Sequence, residues 1–469
     1  MINCSGQKHS RQLQSISEWR EQANSALFFS VLSDDAMSDK LNSLMPEYRE
    51  RLYTPTDTLS MFMSQALNSD RSCQHVVNEW FANRLGSNLG TISTNTGAYC
   101  RARQRLPENM ISEWVRHSGN ELQRRVPEKW QWKGRSVKLV DGTTLSMPDT
   151  AQNQAAYPQP KTQKMGVGFP QCRLVGVLDL SSGGVCDVAY GACKGKGSGE
   201  QSLLRRLLGS LNTGDVLLGD ALYPSYFLLC ELQTMGIDCL FEQMGARARG
   251  TDFRKGKSLG PRDHLIIYNK PEVKPEWLTQ NDYDEAPETL CVRELRFSVC
   301  KGKKGKTLVS TMCCPKADKK AALKQLYKQR WHVELNFRHI KTTLGMDVLS
   351  CRTPEMIGKE IWVCLLAYNL IRILMAQAAI QADRIPNTLS FKHCTQLWLA
   401  WRRQGLLSTG DHWTELLIAM AQKRVGNRPN RTEPRQRKRR PKPFPLLQKS
   451  RQQARQDVIK NGHEAKLAA

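Results

Sequence analysis

Four residues in one short stretch could do chemistry together: Tyr327, Arg330, Glu334 and Lys341, within Tyr327-Lys-Gln-Arg330-Trp-His-Val-Glu334-Leu-Asn-Phe-Arg-His-Ile-Lys341. At about 100° per residue on an α-helix they share an arc of roughly 60°. A carboxylate is then flanked on one face by a phenol, a guanidinium and an ammonium. Upstream, Asp141 lies in the strand-like run Val137-Lys-Leu-Val-Asp141-Gly-Thr-Thr, and Asp220 closes the run Asp215-Val-Leu-Leu-Gly-Asp220. Hard divalent cations take oxygen ligands, so Asp141, Asp220 and Glu334 are the expected catalytic and metal-binding set. Two Mg²⁺ ions roughly 3.5–4 Å apart, or Mn²⁺ in their place, would activate a water and stabilise the leaving oxygen of a phosphodiester. Asp141 is expected to bridge both ions, with Asp220 and Glu334 each completing one. Arg330 as a planar fork, Lys341 as a point charge and Tyr327 as a hydroxyl donor are the expected DNA-phosphate ligands. A surface ion pair between Arg330 and Glu334 is the plainer alternative.

The spacing Y-x2-R-x3-E-x6-K resembles the signature of the insertion-sequence-four family of bacterial DDE transposases. Asp141-Gly142-Thr143 and Gly219-Asp220-Ala-Leu-Tyr223 look like that family's first and second Asp motifs. The likeness runs from about Leu27 to Phe444. It implies a cut-and-paste DNA transposase acting as a homodimer on double-stranded DNA. Such an enzyme hydrolyses at the 3′ ends of the element and joins the freed 3′-OH to target DNA. Two rivals keep parts of this picture: a nuclease with the same metal site and no strand transfer, and an inactive DNA-binding relic. One departure stands out. Hairpin-forming relatives stack a flipped base on a Trp in the strand before the acid helix, but Thr307-Leu-Val-Ser-Thr-Met312 has no aromatic side chain. Base stacking on an aromatic contributes roughly 1–3 kcal/mol, and Trp277 and Phe297 are the candidates to supply it.

Charge points to the same partner. The 469 residues carry a net charge of +25, and such a surface attracts a polyanion by counterion release. Residues 423–456 alone hold 13 Lys or Arg against one Glu, a net +12, and are expected to be extended or disordered in the absence of DNA. The apolar stretch Glu360–Ala379 reads as a core or dimer helix, too short and too flanked by charge to span a bilayer. With no signal-peptide core at Met1-Ile-Asn-Cys-Ser-Gly, a cytoplasmic protein with no membrane partner is expected. The 15 cysteines include no C-x2-C pair, and Cys172, Cys186, Cys230, Cys239 and Cys364 read as reduced core thiols. The absence of G-x-S-x-G, H-E-x-x-H and P-loop motifs removes those hydrolase and nucleotide readings, and no small-molecule substrate is expected. His332 and His339 lie about 150° round the helix from the acid face and stay out of the metal set. Asp149, in Pro148-Asp149-Thr150, reads as a turn residue.

The elements that must position these groups follow from pattern. Helices are expected at Glu18–Leu32, Ser38–Met45, Thr58–Leu67, Cys73–Arg84 and Thr96–Leu106. Ser93 and Thr94 are the expected caps of the last helix, whose Arg101, Arg103 and Arg105 are candidates either to lie against a DNA backbone or to form a solvated face. Strands are expected at Ser136–Val140, Cys172–Leu180, Val185–Ala192, Val216–Gly219 and Ile237–Phe241, with helices at Gln201–Leu211 and Tyr226–Met235. That order is the one of a ribonuclease-H-like α/β fold, with the first Asp on the first strand and the second Asp at the end of the fourth. The 114 residues from Asp220 to Glu334 exceed a direct strand-to-helix passage. Runs at His264–Tyr268, Leu290–Val299 and Thr307–Met312 read as a β-rich insertion before a helix from about Lys319 to Leu344. The expected divisions are a helical N-terminal domain (1–125), catalytic parts at 126–243 and 319–400, the insertion at 244–318, and a C-terminal helix with basic tail (401–469).

Overall fold

The computed structural model describes residues 52–462 apart from 87, 89, 163, 196, 298–304, 404–410 and 427–447. The helices expected at 18–32 and 38–45 lie outside the described residues. Among the described residues, four α-helices precede the sheet: α1 (Pro55–Leu67), α2 (Cys73–Gly86), α3 (Gly97–Arg105) and α4 (Glu108–Arg125). Thr54 caps α1 by accepting the Asp57 N–H at 3.1 Å, with Pro55 in the first turn where its missing donor costs nothing. At α3 neither Ser93 nor Thr94 caps; Asn95 Oδ1 accepts the Gly97 N–H at 2.8 Å. The arginines of α3 divide. Arg101 and Arg105 are exposed, but Arg103 is buried, donates to Gln65 Oε1 at 3.2 Å and lies over Phe62. It is a core group and cannot lie along a DNA backbone.

Among the described residues a single nine-stranded sheet follows. Its strands are β1 (Val137–Ser146), β2 (Gln171–Asp179), β3 (Val185–Ala192), β4 (Val216–Gly219), β5 (Asp238–Glu242), β6 (Lys257–Gly260), β7 (Asp263–Asn269), β8 (Thr289–Phe297) and β9 (Lys306–Ser310). They lie in the order β3-β2-β1-β4-β5-β9-β8-β7-β6. The pairs β1–β2 and β2–β3 are antiparallel, and β1–β4 and β4–β5 are parallel. Connecting helices are α5 (Ala151–Ala156), α6 (Glu200–Arg205), α7 (Tyr226–Thr234), α8 (Gly245–Gly250) and α9 (Gln280–Glu285). The insertion strands do not form a sheet of their own: β9 pairs antiparallel with β5, so β6 to β9 continue the central sheet. Sequence periodicity marks strands but not their edge partners, which is why this junction was not legible in advance.

Alternation along β1 divides two cores. Val137, Leu139 and Leu145 face α4 and the later helices, whereas Val140 faces α6 and α7. The later helices are α10 (Lys320–Lys328), α11 (Trp331–Arg338), α12 (Pro354–Gln381), α13 (Phe391–Arg403), α14 (Asp411–Gln422) and α15 (Arg451–Asn461), with a π turn at His339–Thr343. Helix α12 is long and apolar enough to cross a membrane by composition, contrary to the length argument made from sequence. What assigns it to the core is that 89% of its apolar window is buried within the fold. Five cysteines read as core thiols, Cys172, Cys186, Cys230, Cys239 and Cys364, are all buried and free.

One side chain clamps α12 to both neighbours. Asn369, fully buried, accepts the Val185 N–H at 2.8 Å and donates to the Val185 carbonyl at 2.9 Å and to Ser118 Oγ at 2.9 Å. Asn369→Ala leaves several buried polar groups unpaired, each costing about 1–3 kcal/mol. We expect a loss of roughly 2–4 kcal/mol in unfolding free energy, measured by urea denaturation. A change below about 1 kcal/mol would mean that water replaces the amide.

Most of the basic tail, 427–447, lies outside the described residues; the parts on either side of it are tied to the fold. Val425 N–H donates to the Thr388 carbonyl at 2.8 Å, and α15 begins on a Ser450 capping box. Arg451 pairs with Asp149 at 2.6 Å and covers the Phe169 ring. Asp149, read as a turn residue, is therefore the anchor for this helix.

Candidate active site

Asp141 and Asp220 come together because β1 and β4 are parallel neighbours. Their pairing stops at Leu139↔Leu218, so β1 runs past the end of β4 with one edge open. Asp141 lies on that open stretch, and Asp220 follows Gly219 at the end of β4. Asp141 has the parity of Leu139 and faces α11. Its cross-strand partner is Gly176, where an added Cβ would lie 3.3 Å from the Phe337 ring, so the missing side chain lets α11 pack close. Glu334, in the first turn of α11, is brought over Asp141 in this way.

Arg330 lies between the two. Its guanidinium is 3.5 Å from Asp141 Oδ2 and donates to Glu334 Oε1 at 2.8 Å, with its side chain 15% exposed. This is more than the plain surface pair, since one fork holds two candidate ligands. Burial pushes the Asp141 carboxyl up to about 6; the Gly142 N–H and Arg330 pull it back, and the carboxylates of Asp220 and Glu200 add to the rise. Lys341 Nζ donates to Thr143 Oγ1 at 3.0 Å and to the Thr144 carbonyl at 2.9 Å. Thr143 is two residues from Asp141 on the same face of β1, so Lys341 is tied to the strand that carries Asp141.

Tyr327 departs from expectation. It is 5% exposed, and its hydroxyl donates to Glu242 Oε2 at 3.0 Å, with Lys306 on the same carboxylate. It is not free to grip a phosphate. The cause is a broken helix: α10 ends at Lys328, and the His332 and Val333 N–H groups reach back only three residues, to Gln329 and Arg330. Together with the π turn, where the Leu344 N–H donates to the His339 carbonyl, this removes the uniform 100° step that put all four residues on one face.

The histidines stay out of the acid group as expected, His339 stacking on Phe391 at 4.8 Å. Burial, with Arg372 and Arg338 nearby, lowers its pKa to about 3. Of the aromatics offered as base stackers, Phe297 is buried against Tyr327, and Trp277 carries the Arg205 guanidinium 3.6 Å over its ring. Sequence reasoning passed over two residues. Trp331, adjacent to Arg330, is 52% exposed. Glu200 packs on Gly142, where a Cβ would fall within 2.6 Å of its carboxylate Oε2. The only signal for Glu200 was the Gly after Asp141, which marks a close approach without naming its partner.

Among the described residues, no three His, Cys, Asp or Glu side chains stand as a group that could hold a metal ion. Asp141 and Glu334 are carboxylates of the kind a hard dication takes, but in this arrangement Arg330 engages both.

The family model described as a transposase DDE domain matches residues 132–370, which include Asp141, Asp220, Arg330, Glu334 and Lys341. The chain is similar to the transposase InsG for insertion sequence element IS4 of Escherichia coli (strain K12), at 27% identity over 298 residues, 63% of this chain and 64% of that protein. A putative transposase for insertion sequence element IS4SA of Synechocystis sp. is 32% identical over 59 residues, 13% of this chain and 17% of that one. The match thus spans less than two thirds of either relative. A solved structure titled a piggyBac transposase synaptic complex with hairpin DNA aligns over 85% of each chain at 10% identity, with a TM-score of 0.43, too loose a likeness to carry an argument. With the domain match extending over just over half its length and holding the whole acid-and-base group, the chain belongs to the family of DDE transposases.

Proposed function

We propose that this protein is the DNA transposase of an insertion sequence, cutting transposon ends and joining the freed 3′-OH to target DNA. The observation that carries the reading is Asp141 on β1 and Asp220 just past the end of its parallel neighbour β4, with Arg330, at the start of α11, pairing with both Asp141 and Glu334. The strand order supports a ribonuclease-H-like catalytic unit, in which 126–243 and 319–400 are the two parts. Mg²⁺, as two ions held by Asp141, Asp220 and Glu334, would supply the activation of water and the neutralisation of the leaving oxygen. Arg330 and Lys341 then bind and orient the phosphate at the cleavage point, one as a bidentate fork and the other as a point charge. Tyr327 acts differently, locking Glu242 and the end of α10 rather than touching DNA. The partners are double-stranded DNA and a second copy of the chain, which brings two ends together.

The test is a nicking assay with Mg²⁺ on DNA bearing the element's own ends, followed by strand transfer with precut ends. Cleavage and transfer are expected. Absence of both would leave the inactive DNA-binding relic, and cleavage without transfer would leave the nuclease.

The tail bears on affinity. Truncation after Gly426 keeps the buried Met420 and Ala421 of α14 and removes the basic segment together with α15. DNA binding should weaken, and the slope of log affinity against log salt should flatten by roughly 0.9 for each phosphate that the shortened chain leaves unneutralised. An unchanged slope would mean that the tail touches no phosphate.

A further inference from the structure

We propose that Arg372 is a positioning residue for DNA cleavage, holding the junction of α11 and the π turn so that Lys341 stands beside the strand of Asp141. This rests on the phosphate role read for Lys341 above. Arg372 lies within α12 and is 1% exposed. Its Nε donates to the Tyr368 hydroxyl at 2.8 Å and Nη1 to Asn387 Oδ1 at 3.4 Å. Nη2 donates to Asn336 Oδ1 and, at 3.5 Å, to His339 Nδ1. A guanidinium only donates, so His339 must present a bare Nδ1 and be neutral. Among the described residues, then, a buried cation has amide, phenol and imidazole partners and no carboxylate. Packing alone would be served as well by an apolar side chain of similar volume. What the fork supplies is direction, because its nitrogens aim at separate segments.

Two of its arms end on the turn between β2 and β3. Tyr368 donates onward to the Gly183 carbonyl at 2.7 Å, and Asn387 to the Leu180 carbonyl at 2.6 Å. A Cβ on Gly183 would fall 2.8 Å from the guanidinium carbon, so the turn closes directly over it. The remaining arm ends on Asn336 and His339, which lie in the chain between Glu334 and Lys341. Asn336 is buried and its Nδ2 has no partner, so among the described residues the bond to Arg372 is the one its side chain makes. His339 opens the π turn, a less regular element that recurs at functional sites. Lys341 sits within that turn and donates to Thr143 and Thr144 of β1. Arg372 thus measures the acid helix and its π turn against the sheet from the side opposite Asp141.

The test compares Arg372→Lys, Asn336→Ala, Asn387→Ala and Lys341→Ala in the full-length chain. Three quantities are read: cleavage rate at saturating end DNA with Mg²⁺, affinity for that DNA, and melting temperature. Arg372→Lys keeps the charge but not the three directions, and should cleave about 10-fold more slowly or worse, since small misplacements of reacting groups have effects of this size. Its affinity for end DNA should change far less than its rate. Asn336→Ala should share the loss of rate. Asn387→Ala, which loosens the same cage away from α11, should lower the melting temperature yet keep the rate. If Arg372 is only a structural brace, rate follows melting temperature across all three cage variants, and the proposal is wrong. Should Arg372→Lys fail to fold, Asn336→Ala decides alone: a wild-type rate in it overturns the proposal. Lys341→Ala separates the two levels. A lost rate there with a wild-type rate in Arg372→Lys leaves Lys341 in place without Arg372, whereas a wild-type rate in Lys341→Ala removes both.

Discussion

Asp141→Asn should abolish DNA cleavage and, in chelator at pH 8, raise the melting temperature of the protein. The two effects have one cause. Asp141 is held among buried backbone and other acids, so its pKa stands near 6 in the fold against an ordinary aspartate value of 3.8. Below the unfolded value the group is protonated in both states and folding is not penalised. As pH rises through the folded pKa, the folded protein must carry an unfavourably placed charge, and the stability present in acid is lost. One pKa unit corresponds to about 1.4 kcal/mol, so ionised Asp141 costs on the order of 1–3 kcal/mol above pH 6. Asn keeps the shape and can accept the Gly142 N–H, as Asp141 does at 2.8 Å, but carries no charge. The stability gain should therefore be present at pH 8 and vanish toward pH 4. Cleavage should fall by roughly 10³-fold or more, because several kcal/mol of charge stabilisation leave with the ligand. Asp220→Asn and Glu334→Gln should show the same catalytic loss. Cleavage near the wild-type rate in any of the three would remove that residue from the site; equal melting temperatures of Asp141→Asn and wild type at pH 8 would contradict the charge argument.

Arg330 carries the second large effect. Its fork holds Asp141 and Glu334 together, and in the proposed reaction it turns to the phosphate. Arg330→Ala should lower strand cleavage by about 100-fold or more while weakening end binding by far less, the pattern of an interaction made in the transition state. Arg330→Lys should not restore the rate, because a point charge cannot span two oxygens as a planar fork does. An ordinary exposed pair contributes about 0–1 kcal/mol, and Lys would replace Arg in it with little loss. Wild-type cleavage by Arg330→Lys at saturating Mg²⁺ would sink the phosphate role and leave the Asp141–Asp220 pair untouched.

The residues also separate what the chain states locally from what folding adds. Asp141 and Asp220 were legible because each ends or interrupts an apolar run, and period-two burial with a polar break is a local signal. The spans of β2, β3 and β4 were legible for the same reason, as was the burial of the cysteines within them. Arg330 and Glu334 were legible because a separation of four residues survives on any single helical turn. The place of Tyr327 was not legible, because the step from α10 to α11 contains a turn of three-residue hydrogen bonds that no periodicity announced. Nor was that of Arg103, because charge predicts exposure on average, and only its neighbours Gln65, Phe62 and Tyr99 make its burial tolerable.

By itself, then, the sequence determined the candidate acids, their order along the chain, helical structure before and around Glu334 and the basic excess that calls for a polyanion. These are properties of short windows and of composition, which hold whatever the rest of the chain does. Tertiary structure alone decided that the insertion strands extend the central sheet through β5 and β9, that Arg330 lies between Asp141 and Glu334, that Glu200 packs on Gly142, and that α15 docks on Asp149. Each of these depends on which distant segments meet: edge pairing, the approach of a side chain to a Cβ-less residue and a long-range ion pair have no period in the chain and appear only once the backbone has closed around them.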